Sequence, residues 1–248
     1  MRAAVVLRLV LAALVLAFLL GPERFAGVFA PLNADGAPPV YDQGSLLGLT
    51  AAHLTLVLAA SAVSALLAVL LAVGVTRPAG LRFLPLSRAV VNIGQTFPPV
   101  AVLALAVPLF GFGQLPTLLA LVAYGLLPVF ENTVAGLESC PAELREAADG
   151  MGMSPRERLL ALELPLAAPL MLEGFRLTLV ISVGTATLGS TVAAKGLGEV
   201  IIAGLLSNNT AFVLQGGLLT ALMAIGLHDA MRILERRLLP HARPAVSV

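Results

Sequence analysis

Few side chains in this sequence could do chemistry, and their placement is more telling than their number. Glu143, Arg145, Glu146, Asp149, Arg156, Glu157 and Arg158 crowd the stretch from Glu138 to Glu163, the largest internal charged segment. Elsewhere, ionisable groups sit towards the ends of apolar stretches: Glu131, the i,i+3 pair Glu173 and Arg176, and the i,i+3 pair Asp229 and Arg232. Charges in the middle of a bilayer-length apolar stretch are costly and mark proton relays or ion paths. Those middle positions are nearly empty here, which argues against a proton- or sodium-coupled carrier and for energy supplied from elsewhere. His53 is the exception, and as a lone imidazole it reads as a satisfied packing residue. The single cysteine, Cys140, excludes an internal disulfide and a multi-thiolate metal site, and reads as an inert small residue in a loop. No Gly-rich phosphate loop closing on Gly-Lys-Ser/Thr occurs, so ATP hydrolysis through a P-loop is not expected. His-Glu-x-x-His and Gly-x-Ser-x-Gly are also missing, which removes the commonest metalloprotease and serine-hydrolase signatures. The reading is of a chain with no catalytic residue, no metal and no cofactor.

The elements that carry these residues are apolar. Hydrophobic residues make up 58% of the 248 and charged residues 12%, against about 25% charged in soluble domains. Six stretches approach the roughly 20 residues needed to cross a bilayer. The first, Ala3 to Leu20, is interrupted by Arg8, which can snorkel to an interface. It reads as an uncleaved anchor; a signal peptide with Val28-Phe29-Ala30 as a weak cleavage site is the alternative. A polar, Pro/Gly-rich loop follows from Gly21 to Gly44. The second stretch, Leu46 to Val75, is about 45 Å long if wholly helical and must tilt or project from lipid. The third, Ala89 to Phe110, contains Pro98-Pro99, which should kink or break the helix at Phe97. The broken backbone must then face protein or water, since lipid cannot satisfy it. The fourth runs from Leu115 to Ala135, the fifth from Pro169 to Val192 and the sixth from Ala211 to Leu234.

Threading these stretches alternately through a membrane with the amino terminus inside gives a test, because cytoplasmic loops collect Lys and Arg. Arg2, Arg8, Arg77, Arg82, Arg88, Arg145, Arg156, Arg158, Arg232, Arg236, Arg237 and Arg243 then fall inside, twelve of the 15 basic residues. Arg24 and Lys195 fall outside. Both termini are therefore expected in the cytoplasm. A net charge of +1 implies no nucleic-acid partner.

The charged loop reads as two short helices joined at a corner. Pro141 to Ala148 has high helix propensity, with acids in its first turns where the helix dipole favours them. Gly150 and Gly152 end it. Ser154 is a good N-cap and Pro155 suits a first helical position, so a second helix should run to Leu164-Pro165. Such an exposed corner suits docking into a groove of another protein, or it is an ordinary amphipathic connector.

The spacing Glu146-Ala147-Ala148, then Gly152, then Leu162, Leu164 and Pro165 resembles the EAA loop of ABC importer permeases, with Leu162 where that family usually has Ile. In that family the loop is the coupling helix that sits in a cleft of the cytoplasmic ATPase subunit. The likeness extends from about Leu46 to Leu234 and looks closest to permeases for glycine betaine and related quaternary-ammonium osmoprotectants. Gly94-Gln95-Thr96-Phe97-Pro98-Pro99-Val100-Ala101, Gly150-Met151-Gly152-Met153, Gly184-Thr185-Ala186-Thr187-Leu188 and Lys195-Gly196-Leu197-Gly198-Glu199 carry it. Lys195, where small residues are more usual, and the extra amino-terminal helix are departures.

The resemblance implies an all-α polytopic membrane protein of the bacterial inner membrane. One amino-terminal helix and external loop (1–45) would precede a five-helix type I permease core (46–235, coupling loop 138–165) and a cytoplasmic tail (236–248). The implied partners are a dimer of cytoplasmic ABC ATPase subunits, a second copy or related permease, an extracytoplasmic substrate-binding protein, membrane lipid and a small zwitterionic or quaternary-ammonium substrate. Quaternary ammonium ions favour aromatic cages, yet the chain has no Trp, 2 Tyr and 10 Phe. Tight recognition is therefore expected in the binding protein, with at most a weak pathway site at Gln95, Thr96, Phe97, Pro98 and Pro99. An ABC permease for another small polar solute and an ATP-independent secondary carrier are the competing readings.

Overall fold

The structure is a computed structural model that describes residues 2–33 and 36–239. The side chain of Arg2, and Arg243 with the rest of the tail beyond Leu239, lie outside the described residues. Among the described residues every regular element is helical: α1 (Arg2–Leu20), α2 (Ala26–Phe29), α3 (Leu46–Thr76), α4 (Leu84–Thr96), α5 (Pro99–Phe110), α6 (Gln114–Glu138), α7 (Ala142–Gly150), α8 (Pro155–Arg158), α9 (Leu164–Ala186), α10 (Leu197–Leu206) and α11 (Thr210–Leu238). Among the described residues, four helical stretches are each long and apolar enough to cross a membrane: Leu46–Thr76, Gln114–Glu138, Pro155–Val192 and Thr210–Leu238.

Helices α3, α6 and α9 pack side by side at the centre; α11 lies against α9, and α4 against α6. Water does not drive association between helices in lipid, so close packing and interhelical hydrogen bonds must. The seams are built accordingly. Ala60, Ser64, Ala68 and Ala72, four residues apart along α3, are wholly buried. Ser64 Oγ lies 3.1 Å from Val122 O of α6, and Thr178 Oγ1 of α9 donates to Gly125 O of α6 at 3.0 Å. His53 belongs to the same seam system. It is wholly buried, its Nε2 meets Val183 O at 3.0 Å, and its Nδ1 accepts from Leu197 N at 3.3 Å. Since Nδ1 accepts, the proton sits on Nε2 and both ring nitrogens are satisfied, as a packing residue requires.

The third apolar stretch is not one kinked span. It begins earlier than Ala89 and divides into two helices 94° apart, Leu81–Thr96 with its leading 3-10 turn and Pro99–Phe110. Two prolines in succession remove two backbone donors, and Pro98 pushes the residue before it out of the helical region; Phe97 is extended, with φ −77° and ψ 136°. The first stretch also turns, by 116° between Val10–Leu20 and Pro22–Leu32. The expected loop from Gly21 thus starts as helical turns, because Phe25 and Phe29 fold back onto Phe18, with ring centroids 5.3 Å and 5.6 Å from it. Pro38, Pro39 and Tyr41 of that loop are tied down. Buried Gln215 of α11 donates to Pro39 O at 2.8 Å and accepts from Tyr41 N at 3.1 Å. Asn209 caps α11 through Phe212 N and donates to Pro38 O at 2.9 Å.

Candidate coupling surface and pathway break

Helix α7 ends as its glycines predict, though Gly152 alone makes the turn. Its φ is +79°, a left-handed conformation in which a Cβ is disfavoured. Met153 N donates to Ala148 O at 3.1 Å and Gly152 N to Asp149 O at 3.0 Å, the paired bonds of a Schellman C-cap. Two residues on, Ser154 opens α8 with a full capping box: its hydroxyl accepts from Glu157 N, and Glu157 accepts from Ser154 N at 2.8 Å. The Ser154 hydroxyl also donates to the Glu157 carboxylate at 2.7 Å; this bond first, and that from Ser154 N second, favour the charged form and hold the Glu157 carboxyl below the usual glutamate range.

The second loop helix does not stop at Leu164-Pro165. It passes through a π-helical turn, Leu159–Glu163, directly into α9. Pro165 has no N–H to give to the carbonyl four residues back, and its ring would crowd that carbonyl; widening the preceding turn accommodates both. The π turn aims Glu163 inward. Its carboxylate is 2% exposed and bridges Arg77 at 2.5 Å and Arg158 at 3.2 Å; Arg158 in turn holds Asp149 of α7 at 2.5 Å. One continuous chain of charges, Asp149, Arg158, Glu163 and Arg77, therefore joins the corner helix α7 to the end of α3. Arg145 adds a second tether, donating to Leu137 O of α6 at 2.7 Å.

The seven residues of the Glu-Ala-Ala pattern divide by role in this geometry. Ala148 is buried against the body, and Leu162 and Leu164 are half-buried in and after the π turn. Glu146, Ala147, Gly152 and Pro165 are exposed, beside exposed Leu144, Met151 and Leu160. The corner and the turn after it thus expose both acidic and apolar side chains. Cys140 is buried just before α7.

The other candidate residues, Gln95, Thr96, Phe97, Pro98 and Pro99, gather at the α4–α5 break, which is locked to α6. Pro128 of α6 cannot donate to Tyr124 O, four residues earlier. Gln95 Nε2 takes that orphan carbonyl at 2.9 Å. Tyr124 reciprocates, its hydroxyl donating to Phe97 O at the break. Gly94 permits the approach: a Cβ there would meet Ala123 O at 2.4 Å. Sequence reasoning reached Gln95 and missed Tyr124, although a proline inside α6 signals a free carbonyl at that residue.

Three further ion pairs lie near helix ends. Arg176 holds both Glu173 and, at 3.0 Å, Glu235 of α11. Asp229, expected to pair with Arg232, is instead bound by Arg8 of α1 at 3.0 Å. The packing of α1 on α11 decides this, and a reading along one helix could not anticipate it.

Residues 64–240 match the family described as binding-protein-dependent transport system inner membrane component. The chain belongs to that family. It is 41% identical over 199 residues to the osmoprotectant import permease protein OsmY of Salmonella typhimurium, a match covering 80% of this chain and 84% of the relative. It is 36% identical over 200 residues to the choline transport system permease protein OpuBB of Bacillus subtilis, covering 79% and 90%. In fold it resembles the inward-facing MetNI methionine ABC transporter, with a TM-score of 0.69 at 21% identity over 78% of this chain and 95% of that one. The protein is thus an all-helical, multi-pass inner-membrane permease subunit of an ABC importer and not an enzyme; ATP hydrolysis resides in a separate subunit, and a substrate-binding protein is implied.

Proposed function

We propose that this permease carries glycine betaine or a related quaternary-ammonium osmoprotectant inward, working as a pair of permease subunits, either two copies or this chain with a related one. The relatives named for osmoprotectant and choline transport, at 41% and 36% identity over four fifths of the chain, support the cargo class. Both termini and the α7–α8 corner lie in the cytoplasm, by the distribution of Arg and Lys, and each broken apolar stretch counts as one membrane element, giving six.

The observation that carries the mechanism is the charge chain from Asp149 to Arg77. An ATPase subunit that seizes α7 in a cleft pulls on Asp149 and, through Arg158 and buried Glu163, on the end of α3. Arg145 transmits the same displacement to α6. ATP binding then biases the bundle between two conformations by its different affinity for each, which is all that alternating access requires. The α4–α5 break, fixed to α6 by Tyr124 and Gln95, moves with the helix it is tied to and forms the pathway segment at Gln95, Thr96, Phe97, Pro98 and Pro99. Tight recognition of the cargo resides in the binding protein.

A photo-activated cross-linking residue at Met151, exposed on the corner, tests the docking. It should capture the ATPase subunit in native membranes, and the same residue at Leu109, exposed at the far end of α5, should not. Equal capture at both positions, or capture at neither in an assembled transporter, contradicts the assignment.

A further inference from the structure

Helix α4 has three faces rather than two. Ser87 and Val91 are buried against the bundle. Leu86, Val90 and Ile93 are 62%, 55% and 55% exposed and fall together on a second face suited to acyl chains. Arg88, Asn92 and Thr96, spaced by four, form a third face within about 80° of arc at 100° per residue. Asn92 and Thr96 are exposed, and Arg88 is 42% exposed and paired at 3.2 Å with Glu131 of α6, itself 37% exposed. Glu131 lies about 10 Å along α6 from its end at Glu138, and the face climbs from there to the break held by Tyr124, near the middle of that helix. Hydrocarbon cannot satisfy a carboxylate, an amide and a guanidinium at these depths. The apolar sector can face lipid; this one cannot.

We infer that Arg88, Asn92, Thr96 and Glu131 form one wall of a water-filled passage closed on its other side by the second permease subunit, and that the Arg88–Glu131 pair filters charge at its inner end. The inference rests on the importer reading above and extends the pathway from the break down to α4's first turns. The pair uses Arg88 Nε and one oxygen of Glu131. The other guanidinium donors and the second carboxylate oxygen have no protein partner among the described residues. Each is open to the opposite end of a small zwitterion: guanidinium to its carboxylate, Glu131 to its ammonium. Matched opposite charges let such a solute pass between sites without binding tightly to either, whereas an unpaired charge would hold or repel it.

The test uses the assembled transporter in membrane vesicles, with buried Cys140 replaced by Ala and single cysteines at Asn92, Thr96, Val90 or Ile93. A thiol reacts as its thiolate, which needs water around it, so a membrane-impermeant trimethylammonium methanethiosulfonate should label Asn92→Cys and Thr96→Cys roughly tenfold or more faster than Val90→Cys and Ile93→Cys. Comparable rates on the two faces overturn the wall. Thr96→Cys is nearly isosteric and gives up only a bond to its own helix, Thr96 Oγ1 to Asn92 O, so it keeps the test if Asn92→Cys does not assemble. For the filter, Glu131→Gln in the Thr96→Cys background should raise the labelling rate of an anionic sulfonate reagent several-fold relative to the cationic one, because Arg88 is then unbalanced. An unchanged ratio overturns the filter. Neither labelling result depends on the cargo, so a wrong substrate reading would appear separately, as a wild-type transporter that takes up no osmoprotectant.

Discussion

At Glu163 two arginines converge on a carboxylate that water scarcely reaches, so a change of one atom is felt in two helices at once. Glu163→Gln keeps the size and some hydrogen bonding but removes the charge. We expect the reconstituted complex to assemble and hydrolyse ATP while uptake per ATP falls on the order of tenfold, equivalent to about 1.4 kcal/mol of coupling. Equal losses of hydrolysis and uptake would mean the pair is merely structural. At Gly152 the φ of +79° decides: Gly152→Val forces a β-branched residue into the left-handed region at a cost of about 1–2 kcal/mol or more, opens the α7–α8 corner, and should abolish uptake while the chain still inserts in the membrane. His53→Leu strands Val183 O and Leu197 N–H in the bundle, about 2–4 kcal/mol for two unmet groups, seen as a lower unfolding temperature in detergent with no change in pH dependence. His53 was legible because a lone imidazole between apolar turns has little to do but pack. Glu163 was not: its importance comes from Arg77, 86 residues away in sequence, and from a π turn that no periodicity announces.

At the scale of elements, the corner formed by α7 and α8 has a pH dependence of known sign. The Glu157 carboxyl is held below its usual range by the Ser154 capping box, so its contribution is complete above the unfolded glutamate pKa and is lost as pH falls through the lower folded value. Protease cutting between Met151 and Arg158 should therefore rise on acidification below the usual glutamate range, and Glu157→Gln should flatten that rise. Caps of this kind could be read from the residue order alone, since Ser-Pro-x-Glu and a glycine four residues after Ala148 act locally. The right-angle break after α4 was half legible. Pro98-Pro99 announced an interruption, but its 94° angle is held by Gln95 donating to Tyr124 O and the Tyr124 hydroxyl donating to Phe97 O, contacts that exist only once α4 lies on α6. Tyr124→Phe should loosen the break, read as faster proteolysis or labelling at Phe97→Cys.

Over the whole molecule, a few charges placed at helix ends and a centre left free of them mark a device that is pushed from outside. That absence was visible in composition and patterning, as was the family likeness in the loop from Glu146 to Pro165. Partner choice among charges was not visible: Asp229 took Arg8 of α1, because the amino-terminal helix folds onto α11. Energy source and cargo separate an ATP-driven osmoprotectant importer from its rivals. The direct measurement is uptake of labelled glycine betaine by cells that lack their own osmoprotectant transporters, expressing this permease with its ATPase and binding protein, with and without ATP depletion. Saturable uptake that disappears with ATP is the predicted result. Uptake that survives ATP depletion would contradict the importer mechanism, and a complex that hydrolyses ATP yet takes up no betaine, choline or carnitine would contradict the cargo.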